Sequence, residues 1–380
     1  TTTVAIDTAP PPPTPPPVTP PPTAPDTPIN VQSMVDVVKS QTVAGTPIVK
    51  NPSGDNPGGG TKICGRKIYI DLSDPASWPN GLITPDTMPT SENQSTVKNK
   101  NAVILKGPAE FGGLGLQLNS FFHAYDFAEE TKRPMYITQD AWVLDMLYPL
   151  FFGPSSGNVA KDSTFWEAMQ DTLSAKVIAS EDALTTKGVA IPEYLGQKLL
   201  YYQGANKGKF DATARRNRRD TILRKLFQYS SVAGDKGVCA LLDTLMKDEK
   251  NEKYTVIHYG TPGLKGYLGQ LNGGTGGKDL TAACEMKPDY IKNILKQTNM
   301  LEEMIYLINS DSNNVDEELH KSLMDDSEMS EDKIRTPVGS PLASYIYLAV
   351  LADVYIGNPV DQLSLWIARM RYALGIKNSF

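Results

Sequence analysis

Three stretches of the chain place small and polar residues where a buried strand is predicted to end. They are "GGLGLQ" (112–117), "HYGTPG" (258–263) and "GNPVDQLS" (357–364). Ligands of open α/β sheets bind beyond the carboxyl ends of the strands. The first and third stretches run into predicted helices, whose N-terminal N–H groups suit a phosphate. Together they predict a phosphate-bearing ligand, although a single glycine-rich turn is more often only a tight turn.

The three histidines of the chain differ in what surrounds them. His258 lies at the end of the predicted buried strand "KYTVIHYG" (253–260), where an α/β enzyme would place a catalytic or ligand-binding residue. His123 lies among apolar residues of a predicted helix and is expected in the core, whereas His320 lies in an acidic stretch and is expected at the surface. No histidines or cysteines have the spacing of zinc ligands, and there is no Asp-x-Asp pair, so we expect no bound metal.

Two further features each allow two interpretations. Asp353, in "LADVYIG", is either a structural cap or a ligand of a ribose. The arginines at 215, 216, 218 and 219 either face a phosphate or form a solvated helix face. The sequence alone does not choose within either pair.

The elements that must position these residues alternate between strands and helices. Strands are predicted at 67–72, 101–107, 133–138, 253–260 and 303–308, and a short one ends at 357. Helices are predicted after the turn at 112–117, over 214–229, over 288–298 and over 360–375, and the region 161–250 reads as mostly helical. Strand, turn, helix, strand is a βαβ unit, so an α/β fold with two αβ halves is expected.

Composition limits the function classes. The 380 residues carry a net charge of −6, which argues against nucleic acid as a partner. No apolar run is long enough for a membrane span. The three cysteines, Cys64, Cys239 and Cys284, allow one disulfide plus a thiol or three thiols, and a Cys239–Cys284 bond would suit a secretory lumen.

The first 62 residues have a different composition from the rest. Residues 1–28 contain twelve prolines interleaved with threonines, which predicts extended polyproline or disorder. Either a stalk between a removed N-terminal anchor and a catalytic domain or a plain disordered tail fits this composition. A sequon at Asn93 matters only if the protein is secretory.

Residues 100–375 resemble the fucosyltransferase-like superfamily of GT-B glycosyltransferases, which includes protein O-fucosyltransferases and α1,6-fucosyltransferases, in a divergent algal or protist form. "GGLGLQL" (112–118) resembles the family's "GGLGNQL" loop, and "VIHYG" (256–260) its strand ending in His-x-Arg. "LADVYIGNPVDQLSLWIARMRYALG" (351–375) resembles its closing "aDvfIGNpaStfS" segment and helix, which is the most specific match, and 279–295 also resembles the family.

The resemblance implies two Rossmann-like domains facing each other across a cleft, and metal-free transfer of fucose from GDP-fucose to a glycan or glycoprotein. The expected domains are a stem (1–62), an acceptor-side domain (63–250) and a nucleotide-sugar domain (251–380). The implied nucleotide-sugar residues are His258, Asp353, Asn358, Gln362 and Ser364. The implied sugar and acceptor loop contains Gly113, Gly115 and Gln117. GDP-fucose would be a substrate and no cofactor is implied; the implied location is the Golgi lumen or the cell surface.

The chain departs from the family at three positions. Gly260 replaces the arginine that would neutralise the diphosphate, Leu116 replaces an asparagine, and Gln362 replaces a serine or threonine. Loss of such an electrostatic contact costs about 10²–10³ in rate unless Lys265 or an arginine of 215–219 replaces it. Two interpretations therefore compete: a fucosyltransferase with an altered phosphate site, or a catalytically lapsed domain that binds carbohydrate or serves a cell-surface assembly. A nucleotide-binding regulator is a third.

Overall fold

The computed structural model describes part of the chain. The described residues are 62–79, 103–106, 114–131, 133, 135–138, 141, 147, 150, 176–178, 189–192, 211–232, 238–246, 252–259, 286–309, 317–325, 329, 331–337, 342–358 and 361–380. Every element below belongs to one unit of the chain, which spans residues 47–380. The stem, the sequon, Gly113, Gly260, Lys265 and Cys284 lie outside the described residues.

The described residues form ten strands and seven α-helices. The strands are β1 (Lys62–Ile63), β2 (Arg66–Lys67), β3 (Val103–Lys106), β4 (Met135–Thr138), β5 (Lys176–Ile178), β6 (Val189–Pro192), β7 (Tyr254–His258), β8 (Met304–Ile308), β9 (Ile334–Arg335) and β10 (Val354–Gly357). The helices are α1 (Leu114–Thr131), α2 (Ala212–Val232), α3 (Val238–Met246), α4 (Pro288–Thr298), α5 (Glu317–Met324), α6 (Leu342–Val350) and α7 (Gln362–Ala373).

Two four-stranded parallel sheets form the framework. The first has the order β5-β4-β3-β6 and the second the order β10-β7-β8-β9. Strands β7 and β8 are buried at every position, as expected for a parallel sheet covered on both faces. The α/β class predicted from the alternating pattern is therefore confirmed.

The C-terminal residues extend the second sheet. Tyr355 donates its N–H to Asn378 O (3.0 Å) and accepts one from Phe380 N (2.9 Å). The tail therefore runs parallel to β10 and covers its outer edge, which leaves fewer unsatisfied backbone groups there.

Helix α7 and three neighbouring helices join the elements of the two sheets into one core. Helix α7 packs against α1, α2 and α6. Phe122 of α1 stacks on Trp366 of α7 with ring centroids 4.6 Å apart. The spacing of Leu363, Ile367, Met370 and Leu374 predicts an apolar stripe on α7, and all four side chains are buried. The closing helix therefore contacts both halves of the chain.

The N-terminal hairpin is held by a disulfide. Cys64 and Gly65, between β1 and β2, have φ of 50° and 76°, the backbone of a tight two-residue hairpin turn. Cys64 bonds Cys239 of α3. The cysteine count had left the pairing open, and the Cys239–Cys284 alternative is wrong.

Three predicted elements differ from the structure. The strand predicted over 67–72 is wrong beyond Lys67, because the turn at Cys64–Gly65 makes this stretch the second arm of a short hairpin. The region 161–250 was expected to be mostly helical, but β5 and β6 lie within it and join the first sheet. The acidic composition of 310–332 predicts a loop or a loose helix, whereas the structure has the regular helix α5 within this stretch.

Candidate functional site

Two of the three predicted segments meet at the carboxyl edge of the second sheet. His258, the last residue of β7, pairs in register with Gly357, the last residue of β10. Asn358 donates its N–H to His258 O over 3.0 Å. Parallel pairing therefore brings the ends of β7 and β10 together, and both lie at the carboxyl ends of strands, as the strand-end argument predicted.

A hydrogen-bonded cluster forms around the His258 ring. His258 Nδ1 lies 2.5 Å from Ser364 Oγ, in the first turn of α7. Ser364 Oγ also accepts the N–H of Asn358 (3.1 Å), whose Nδ2 donates to Tyr259 O (3.2 Å). His258, Asn358 and Ser364 are each exposed by 4% or less. We call these three residues and Asp361 the histidine cluster.

Asp361 caps α7 inside this cluster. Its Oδ1 accepts the N–H of Ser364 (2.9 Å) and lies 3.9 Å from His258 Nδ1. An aspartate at this position satisfies an N–H group at the helix start and opposes the positive end of the helix dipole. Sequence reasoning missed this role, although an aspartate immediately before an apolar-periodic helix is a recognisable cap signal.

His258 is neutral at physiological pH. Burial lowers its pKa from 6.5 to about 4, and the nearby Asp361 carboxylate only partly opposes this effect. A serine hydroxyl has one hydrogen to donate. When Ser364 donates it to Nδ1, the ring proton lies on Nε2, which makes Nε2 a hydrogen-bond donor.

The histidine cluster is not a hydrolytic triad. In such a triad the serine and the aspartate contact opposite nitrogens of the imidazole. Here both Ser364 and Asp361 approach Nδ1. The arrangement therefore orients a neutral imidazole instead of activating the Ser364 hydroxyl as a nucleophile.

The glycine-rich segment of the first half lies against the start of α7. Gly115 belongs to the first turn of α1, and a Cβ built on it would lie 2.5 Å from Leu363 N and 2.7 Å from Gln362 C. Gln362 Oε1 accepts from Asn119 Nδ2 (2.5 Å), and Asn119 Oδ1 accepts from Trp366 Nε1 (2.9 Å). Gly115 and Gln362 are thus adjacent, and Gln117 is buried in the same helix. Sequence reasoning missed Asn119, which joins the two halves.

Asp353 lies at the opposite edge of the sheet from His258. It precedes β10, and its Oδ2 accepts the N–H of Tyr254, the first residue of β7 (3.0 Å). Arg66 pairs with the same oxygen at 2.5 Å. The structure therefore does not bring Asp353 together with the histidine cluster, because a residue before a strand lies at its amino end.

The arginine run of α2 is engaged with α1. Arg215 pairs with Glu130, and Arg219 pairs with Asp126 through Nε (2.9 Å) and Nη2 (2.5 Å). Arg218 contacts both carboxylates. Each of these three arginines therefore already has an acidic partner on α1, and the replacement of the missing phosphate cation by one of them stays a prediction.

His123, which its apolar neighbours predict to lie in the core, is only half-buried on α1. It is one turn from Asp126 on α1, and burial, with smaller contributions from Arg219 and Arg215, lowers its pKa to about 4. Like His258, it is neutral near pH 7.

Two further observations concern metals and membranes. Within the described ranges, no group of three or more histidine, cysteine or acidic side chains is placed to hold a metal ion. None of the helices described above is both long enough and apolar enough to cross a membrane.

The solved structures that resemble this chain do so at low sequence identity. No family model and no curated protein matches the chain. Solved structures of POFUT1 match 74% of this chain at 12% identity: the complex with GDP-fucose with a TM-score of 0.36 over 98% of that chain, and the complex with GDP with 0.34 over 99%. An apo form matches with a TM-score of 0.36. At this identity and these TM-scores, the likeness does not decide what the chain does.

Proposed function

We propose that the chain is a fucosyltransferase-like glycosyltransferase of GT-B type that takes its sugar from GDP-fucose. The carrying observation is the contact between His258 and Ser364, 106 residues apart, which joins the most specific segment of the resemblance to its strand ending in His258 at one sheet edge. Residues 251–380 would bind the donor and residues 63–250 the glycan or glycoprotein acceptor. The domain boundaries are part of the proposal.

The donor would meet a neutral His258. Ser364 and Asn358 fix the ring, so its Nε2 can donate a hydrogen bond to the nucleotide without reorientation. Ser364 would act as a positioning residue, because its hydroxyl is engaged by His258 and Asn358. Gln362 and Gly115 would lie on the side of the donor that faces the first half.

A catalytically lapsed carbohydrate-binding or assembly domain is the second candidate. Asp361 favours it, because a buried carboxylate at the start of α7 repels a diphosphate from the place where helix N–H groups would hold one. The close approach of Gly115 covers the same turn. Among the described residues, Asp361 is also the one charged group that shifts the pKa of His258.

The proposed location is the Golgi lumen or the cell surface. The Cys64–Cys239 bond supports it, because disulfides persist in oxidising compartments. A proline- and threonine-rich stem is compatible with the same location.

Calorimetric titration of the purified chain with GDP and GDP-fucose tests the proposal. We expect saturable binding that His258→Ala weakens by at least about tenfold, because a preoriented donor is removed. His123→Ala is the matched control, since it deletes a histidine with a similarly lowered pKa away from the site, and we expect its affinity to be unchanged. Thermal unfolding of both variants verifies that they fold.

Each outcome has a defined meaning. No binding at millimolar ligand contradicts the proposal. Binding without transfer to a broad panel of glycan and glycoprotein acceptors supports the lapsed domain. Equal weakening of nucleotide binding by His258→Ala and His123→Ala would show that His258 does not contact the nucleotide.

Asp361→Asn distinguishes the two candidates at the residue that separates them. The amide keeps a cap acceptor but removes the negative charge, so GDP affinity should rise by about tenfold if the diphosphate lies near α7. Asp289→Asn, in the first turn of α4, is the control and should leave affinity unchanged. An unchanged affinity for Asp361→Asn would place the diphosphate elsewhere.

A further inference from the structure

A second cleft opens at the amino edge of the second sheet, away from His258. Its volume is about 240 Å³. The β1–β2 hairpin, the start of β7 and the C-terminal residues 376–378 form its walls. Its charged lining residues are Arg66, Lys67, Glu252, Lys253, Asp353 and Lys377.

The base of the cleft is held by a hydrogen-bonded ion pair. Arg66 bonds Asp353 Oδ2 at 2.5 Å and Glu252 O at 2.8 Å, and its guanidinium lies 4.6 Å from the centre of the Tyr254 ring. Asp353 also accepts the N–H of Tyr254. The charges of Arg66 and Asp353 therefore compensate each other, and the pair fixes the hairpin against the sheet.

The C-terminal wall is also fixed. Tyr69 donates its N–H to Leu374 O (3.0 Å). Gly375 has φ +77°, and a Cβ on it would lie 2.9 Å from Tyr69 Cβ. The close approach holds the wall that carries Lys377 next to the hairpin.

The remaining charges make the cleft positive. Because Arg66 and Asp353 compensate each other, the remaining charged lining residues are three lysines and one acid: Lys67, Lys253, Lys377 and Glu252. Lys67 Nζ lies 5.4 Å from the centre of the Tyr69 ring, and no ion pair joins Lys253 or Lys377 to another residue in the described ranges. The lining therefore carries a net charge of +2, in a protein whose total is −6.

A buried cation behind the wall adds to this potential. Arg371 is fully buried and donates to the carbonyls of Ala349 (3.0 Å), Val350 (2.9 Å) and Ala352 (2.6 Å). Its other donors reach Ser379 Oγ (2.9 Å) and Asn378 O (2.8 Å). No described carboxylate bonds it directly, so its charge is felt through a low-dielectric wall at Ala352 and Asn378.

We propose that this amino-edge cleft binds a tetrahedral oxyanion, the sulfate or phosphate group of a small ligand. The volume is below the roughly 300 Å³ at which pockets for drug-sized ligands begin, which suits a single charged group. Convergent cations in a concave site concentrate anions. The proposal is independent of the donor site, because the two lie at opposite ends of the strands.

Calorimetry at constant ionic strength tests it with inorganic phosphate, inorganic sulfate and glucose 6-sulfate as probes. We expect saturable millimolar binding that Lys253→Gln with Lys377→Gln weakens by about tenfold or more. Lys287→Gln with Lys321→Gln makes the same charge change on exposed positions elsewhere, and should leave the affinity unchanged. Comparison of the three probes identifies the source of the group.

Two results would overturn the proposal: the absence of saturable binding of all three probes, or equal weakening by the two double variants. Titration of GDP separates this site from the donor site. The cleft variants should leave GDP affinity as it is, whereas His258→Ala should leave sulfate affinity as it is.

Discussion

At the scale of single residues, burial decides the protonation state of His258 and His123. His258 lies on strand β7 and His123 on helix α1, but burial is the largest cause of the lowered pKa in each. A neutral His258 is a hydrogen-bond donor and acceptor instead of a cation. It therefore cannot supply the positive charge that is lost where Gly260 replaces the arginine of the resembled family.

The lowered pKa values predict how stability depends on pH. Between pH 6.5 and about 4 the unfolded chain takes up protons at these histidines that the folded chain does not. Their contribution to the unfolding free energy is therefore complete above pH 6.5 and is lost as the pH falls towards 4. Urea unfolding across this range measures it.

The His123→Asn variant isolates one histidine from the carboxylates that also titrate there. We expect its unfolding free energy to fall less between pH 6.5 and 4 than that of the original chain. Parallel curves for the two proteins would show that His123 takes up protons equally in both states.

At the scale of elements, α1 and α7 determine the site together. Gly115 allows the helices to approach, Asn119 bonds both Gln362 and Trp366, and Phe122 stacks on Trp366. At the other end of the contact, Arg369 of α7 pairs with the buried Asp220 of α2. The helix that carries Ser364 is therefore fixed along its whole length.

Substitution of Gly115 tests this contact. A Cβ there meets backbone atoms of Gln362 and Leu363, which cannot rotate away. Gly115→Ala should therefore lower the unfolding free energy by about 3 kcal/mol. Gly65→Ala is the control. A Cβ built on Gly65 has no heavy atom within 4 Å, but the residue has a positive φ, so we expect the unfolding free energy to fall by about 1 kcal/mol. Equal losses would show that α1 moves away without penalty.

At the scale of the whole molecule, one covalent bond and one helix connect distant parts of the chain. Cys64 and Cys239 are separated by 175 positions, so their bond restricts a long loop in the unfolded chain. Arg66 is two residues from Cys64 and pairs with Asp353. The disulfide therefore also holds one wall of the amino-edge cleft.

Removal of the disulfide has a predicted magnitude. Cys64→Ser with Cys239→Ser should lower the unfolding free energy by about 2–5 kcal/mol, measured in urea without reductant. Cys284→Ser is the control and should leave the disulfide in place. Peptide mapping under non-reducing conditions identifies the linked cysteines, and a peptide joining Cys239 to Cys284 would contradict the structure.

Strongly patterned segments were predictable because their signals are local. The buried strands that became β3, β4, β7 and β8, and the apolar stripe of α7, follow from short-range hydrophobic pattern. The two-residue hairpin and the strands β5 and β6 were missed, because they depend on a turn geometry and on partners far along the chain. The convergence of His258 with Asn358 followed from one rule about parallel strand ends.

The sequence alone determined that this is an α/β protein and that the stretches beginning at 258 and at 357 lie at the ends of strands. Only the tertiary structure showed that these strands are neighbours, that Asp353 lies at the opposite edge, that Arg215, Arg218 and Arg219 pair with carboxylates of α1, and that Asp361 caps α7 inside the histidine cluster. The physical reason is that a residue's type states which bonds it can form, whereas its neighbours in space decide which of them are formed and what remains for a ligand.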